Sequence, residues 1–128
     1  MKLSVVTVDQ KFLSVNLKAK EVKLINRIFL DFEIMIEAKN VNELDFDFAS
    51  CLFDGYLDIE SFISDCEEQS FIFPKNINPN VFLMKIKKVA EIVKHYRLRL
   101  LQTGNNKLDK TRRRAEIFVN QQIKSFGI

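Results

Sequence analysis

Short-range alternation opens the chain. Leu3-Ser4-Val5-Val6-Thr7-Val8 is short and β-branched, the composition of a strand. Asp9-Gln10 offers a turn into a second strand over 12–17, where Leu13, Val15 and Leu17 alternate with polar Ser14 and Asn16. Between Val22 and Ala38 two periods compete. Ile28, Leu30, Phe32, Ile34, Ile36 and Ala38 fill every even position, which predicts a strand over 27–38. Val22, Ile25, Phe29, Phe32 and Ile36 also form a helical stripe, so a helix is the alternative. The unbroken alternation favours the strand. Leu44, Phe46 and Phe48 alternate with Asp45 and Asp47 and predict one strand more. Together these segments predict an antiparallel meander with one apolar and one acidic face.

Beyond Asp58 the period lengthens. Ile59, Phe62, Ile63 and Cys66 stand at i, i+3, i+4 and i+7, which predicts a helix over 58–68. Phe71-Ile72-Phe73 runs extended into Pro74. Asn78 and Pro79 then mark a helix start, because asparagine caps well and proline at the first position needs no backbone donor. Phe82, Ile86, Val89, Val93, Tyr96 and Leu100 predict its buried stripe, and Thr103-Gly104-Asn105-Asn106 its stop. A further helix from Asp109, with Ala115, Phe118, Val119, Gln122 and Ile123 on one side, would close an antiparallel helical hairpin. The expected fold is therefore α+β: an N-terminal β-meander followed by a C-terminal helical hairpin. An all-α fold is the alternative if 19–38 is helical. With 128 residues and no linker-like stretch, residues 1–128 read as a single domain.

Charge adds a second layer. Residues 1–70 carry seven Lys/Arg against fourteen Asp/Glu, a net of −7, while 71–128 carry thirteen against three, a net of +10. The first half reads as acidic and mostly strand, the second as basic and helical. Such asymmetry sets what each half can approach, since the sign of the field steers association before contacts form. Twelve Phe and no Trp place most aromatic area in the core. Abundant Lys, Asn, Ile and Phe with scarce Ala and Gly suggest AT-rich coding, as in some bacteria and phages. Two cysteines without a CxxC pair, no signal-peptide pattern and no long apolar run lead to an expectation of a cytoplasmic chain with free thiols.

The strongest candidate surface is the basic face of the expected hairpin. Lys85, Lys88, Arg97, Arg99, Arg112, Arg113 and Arg114 are the candidate partner-binding residues, because guanidinium and ammonium groups on a firm scaffold grip carboxylates and phosphates. The plain alternatives are a solvated helix face whose lysine stems cover an apolar stripe, and neutralisation of one half by the other. Phe71, Phe73 and Tyr96 could stack bases, although such spacings usually mean core.

Glu37-Ala38-Lys39, at the end of an expected strand, is similar to the metal-binding E-x-K of restriction-type nucleases, where the carboxylate holds Mg²⁺ and the lysine positions water. The companion carboxylate that such a site needs is missing from its usual place earlier in the hairpin. Asp54-Gly55-Tyr56-Leu57-Asp58 resembles half of a calcium loop, but Leu52 and Ser61 would stand where carboxylates are required. Cys51, Cys66 and His95 lack the paired spacing of a zinc site. The sequence therefore predicts no catalytic residue, no metal and no cofactor. Its expectation is a small non-catalytic interaction protein, of adaptor, inhibitor or immunity type, that docks an acidic macromolecule. A nucleic-acid-binding module using the same residues is the alternative, and a metal-dependent nuclease a remote one. No membrane or small-molecule substrate is expected.

Overall fold

The computed structural model describes residues 1–38 and 43–107, the side chains of 103–107 excepted. Its elements are β1 (Lys2–Val6), β2 (Phe12–Asn16), α1 (Ala19–Ile28), α2 (Phe32–Glu37), α3 (Phe48–Glu67) and α4 (Pro79–Lys107). The fold class is α+β, with a two-stranded antiparallel sheet among the described residues.

The opening hairpin follows its sequence pattern. Leu3 pairs with Val15 and Val5 with Leu13, so the alternating apolar set lies on one face. The turn closes with the Thr7 amide donating to Lys11 O at 2.8 Å and the Gln10 amide to Thr7 O at 3.0 Å. Gln10 takes φ of 69°, the left-handed position that a three-residue hairpin loop requires.

The rest of the expected meander is helical. Residues 27–38 form the end of α1, a bend and α2. Burial shows why the alternation misled: Leu30 and Ile34, on the even face, are 83% and 51% exposed, whereas Ile25, Phe29, Phe32 and Met35 are almost fully buried. The segment is apolar at odd positions too, so the six even matches were partly coincidence, and tertiary packing selected the helical stripe. The bend leaves its own bonds satisfied, with the Phe29 amide on Ile25 O at 2.7 Å and the Phe32 amide on Phe29 O at 3.1 Å. Likewise Leu44, Phe46 and Phe48 make no strand; they lead into α3.

α3 begins ten residues earlier than the 58–68 helix expected from sequence. Ala49, Leu52, Gly55, Ile59, Phe62 and Ile63 form its buried face. The supposed calcium loop thus lies in mid-helix. Gly55 is there for space: a Cβ on it would stand 2.5 Å from the Phe29 ring. The helix ends in a Schellman arrangement, with the Ser70 amide on Asp65 O at 2.9 Å, the Gln69 amide on Cys66 O at 3.1 Å and Gln69 at φ 58°.

α4 starts as expected, with the Val81 amide donating to Asn78 Oδ1 at 3.2 Å. Its predicted stripe is the core: Phe82, Ile86, Val89 and Val93 are fully buried, Tyr96 and Leu100 nearly so. Each such side chain contributes roughly 1.5–3 kcal/mol by leaving water. The helical backbone continues over Gly104 to Lys107, past the expected stop. Glycine and asparagine cost under about 1 kcal/mol each in a helix, too little to end one unaided. The further helix expected from Asp109, and with it the second arm of the hairpin, lies outside the described residues.

α4 nevertheless has an antiparallel helical partner, which is α3. Lys87 near the start of α4 reaches Glu67 at the end of α3 (3.8 Å), and Arg97 lies over the ring of Phe53 near the start of α3 (5.1 Å). Phe62, Phe71, Phe73 and Phe82 pack edge-to-face, with ring centroids 4.8–6.2 Å apart, and pin the 68–78 connection onto this pair. The β-hairpin covers another flank of α4.

Candidate basic docking groove

Four of the seven basic residues in the acidic half fall within ten positions: Lys18, Lys20, Lys23 and Arg27. Because α1 buries Leu24 and Ile25, its Lys20, Lys23 and Arg27, spaced i, i+3 and i+7, share an exposed flank. They line a cleft of about 410 Å³ whose far wall is Pro74, Asn76 and Ile77. The cleft continues, through shared Lys20, Asn76 and Ile77, into a hollow of about 370 Å³ edged by Lys18, Lys75, Asn78 and Val81. One wall of that hollow is Glu21, which bonds Lys85 at 2.8 Å. Lys85 in turn edges an open groove of about 710 Å³ between β2 (Ser14, Val15, Asn16) and α4 (Met84, Lys87, Lys88, Glu91). The two contiguous hollows and the open groove flank the Glu21–Lys85 pair and together make a basic track from Arg27 to Glu91.

Its potential is positive. Lys18, Lys20, Lys23, Arg27, Lys75 and Lys88 have no ion-pair partner among the described residues. Of the two carboxylates of the track, Glu21 is engaged by Lys85, while Glu91 stays exposed with its Oε2 3.9 Å from His95 Nε2. Burial works against the Glu21 charge, but the bonds from Lys85 and from the Lys18 amide (2.7 Å) outweigh it and hold its carboxyl below the ordinary value. The Lys18 amide bond is half of a capping box; the other half is missing because a lysine side chain accepts no hydrogen bond. The Glu21 bonds thereby fix α1, β2's exit and α4 relative to one another.

The expected partner-binding residues divide. A helix turns about 100° per residue, so Lys85, Lys88 and Arg99 lie on one flank of α4 and Arg97 about 180° from Lys88. Lys85 and Lys88 line the track. Arg99 is half-buried, and Arg97 is turned to α3, its guanidinium over Phe53. Arg112, Arg113 and Arg114 lie outside the described residues.

Other candidates lose their geometry. Glu37 ends a helix, not a strand, and Lys39 lies outside the described residues. Cys51 and Cys66 are free and both on α3, about 22 Å apart along its axis at 1.5 Å per residue, too far to share a metal or a bond. No group of three or more His, Cys, Asp or Glu gathers as a metal site among the described residues. Phe71 and Phe73 are half-buried in the aromatic cluster and Tyr96 is buried, which removes them as stacking platforms. No helix among the described residues is long and apolar enough to cross a membrane.

No protein-family model, no curated protein and no solved structure matches the chain. The track itself was missed in the sequence because a net of −7 over 1–70 concealed the run at 18–27. The i, i+3, i+7 spacing of Lys20, Lys23 and Arg27 was the available signal.

Proposed function

We propose that this chain is a non-catalytic interaction protein that docks an acidic polypeptide along the track from Arg27 to Lys88. The observation that carries the reading is the set of six cations, unpaired among the described residues, that line the hollows on either side of the Glu21–Lys85 pair. An acidic ligand there gains charge pairing without first breaking internal ion pairs, and such a field raises the rate of encounter. A polypeptide suits the walls better than a nucleic acid does. Val81 and Met84, 44% and 75% exposed, offer apolar seats, and no aromatic ring among the described residues lines the track for base stacking.

The test is fluorescence anisotropy with a labelled fifteen-residue polyglutamate and a single-stranded DNA of equal charge. The double reversal Lys20→Glu with Lys23→Glu should weaken polyglutamate at least tenfold. Lys94→Glu, about 180° from Lys85 on α4, should change it less than threefold. Equal losses from both variants would remove the groove as the site. DNA binding tenfold or more tighter than polyglutamate at 0.15 M salt would make nucleic acid the partner instead.

A further inference from the structure

Strand β2 has an open edge, and the widest part of the track runs along it. Met1 and Leu17 exchange both backbone bonds: the Met1 ammonium donates to Leu17 O and the Leu17 amide to Met1 O, each at 2.7 Å. At the other end the Thr7 amide donates to Lys11 O. In an antiparallel pair the bonded positions recur every second residue, so Val15 and Leu13 bond across to Leu3 and Val5. Phe12, Ser14 and Asn16 therefore direct their N–H and C=O groups away from β1. No described residue bonds them.

That edge is unguarded. Natural edge strands are commonly blunted by charge, proline or a bulge, yet β2 is Phe-Leu-Ser-Val-Asn, with none of these inside it. Ser14 and Asn16 instead wall the groove of about 710 Å³, with Met84, Lys87 and Lys88 of α4 as the opposite wall. The inward face of β2, marked by buried Val15, looks toward the core that α4 forms. A third strand beside β2 would extend the sheet over this flank of α4 and cover Met84.

We infer that the acidic partner binds by β-strand addition, as an extended segment paired to the outward backbone groups of Ser14 and Asn16. The inference rests on the docking function proposed above and supplies its mode. Backbone bonds to β2 give register, alternate side chains meet Met84 and Lys88, and acidic residues beyond Asn16 reach Lys18, Lys20 and Lys75. Charge selects this occupant over a second copy of the chain. Two β2 edges pairing would set Lys87 and Lys88 of both copies on one side of the joined sheet, where like charges repel.

The probe is a labelled peptide of five Val-Glu repeats followed by four glutamates, titrated against the full wild-type chain. Two counterparts, N-methylated at every valine or at the glutamates of the repeats, each block one edge of the peptide and keep its charge. Strand addition predicts that one of the two loses at least tenfold in affinity and the other less than threefold. Hydrogen exchange supplies a direct reading: the Ser14 and Asn16 amides should exchange freely in the chain alone and slow at least tenfold when the peptide is added. Ser14→Pro deletes an outward donor while sparing the bonds to β1, and should weaken the parent peptide about tenfold. If neither N-methylated peptide loses affinity and the two amides stay unprotected while polyglutamate still binds, strand addition is overturned and the docking function stands. If no acidic peptide binds at low salt, both fall. Concentration-dependent dimerisation of the chain alone, with the same two amides protected, would assign the edge to a second copy.

Discussion

Glu21 and Lys85 are 64 residues apart in sequence and 2.8 Å apart in space, and their pair ties the acidic half to the basic half. Glu21 is 4% exposed. Only one other ion pair among the described residues joins the halves, Lys87 to Glu67 at 3.8 Å, and both of its partners are well exposed. Most of the basic side chains facing the track remain available to a ligand.

Breaking the Glu21–Lys85 pair should destabilise the fold. Lys85→Met leaves a buried carboxylate with only the Lys18 amide, a loss of about 2–4 kcal/mol in urea denaturation. Pairing it with Glu21→Gln should recover a good part of that loss, because no charge is then stranded. A double variant no more stable than Lys85→Met would show that the packing of the lysine stem, not the charge, matters.

The same pair sets a pH dependence. The folded Glu21 carboxyl lies below its ordinary value of 4.5, so its contribution is complete above that pH. It is lost as pH falls through the lowered folded value. Denaturation midpoints of the wild type should drop over this acidic range more steeply than those of Glu21→Gln.

Gly55→Ala should cost about 1–3 kcal/mol, since the added methyl meets the Phe29 ring where α1 ends against α3. Phe29→Leu in the same chain should relieve part of the strain. Thermal unfolding of the two single variants and the double variant measures the coupling.

Gln69→Gly should gain roughly 0.5–1 kcal/mol, because a left-handed residue closes α3 and glycine adopts that conformation without a Cβ penalty. Gln69→Val at the same site should lose stability. Chemical denaturation of both variants checks the sign.

Both thiols should alkylate slowly in the folded chain. Burial raises Cys51, helped by the charge and hydrogen bond of Asp31; burial also raises Cys66, with Asp65 and Glu67 adding to it. Higher values leave less thiolate at a given pH. Iodoacetamide at pH 8 should therefore react at least about fivefold faster after unfolding in urea.

Elements with local, unambiguous patterns were legible without the fold. The alternation around Leu13 and Val15 defined a hairpin, and Asn78-Pro79 with the stripe from Phe82 to Leu100 defined α4, because capping and single-face burial are written in neighbouring residues. Residues 27–38 were different. They are apolar on more than one face, so either period could bury a good set. Packing of Phe29 against Gly55 and of Phe32 in the core decided for helices. The start of α3 was hidden for a similar reason: Asp54-Gly55 has turn chemistry, and only the presence of Phe29 explains a glycine inside a helix. The candidate site shows the contrast most plainly. Sequence placed the basic residues of α4, but summed charge over a half-chain cannot say which side chains share a surface. Tertiary structure joined Glu21 of α1 to Lys85 of α4, turned Arg97 onto Phe53 and away from the groove, and left one edge of β2 open beside Lys85 and Lys88. Local periodicity fixes which face of an element is buried; only its packing partners fix which exposed faces meet.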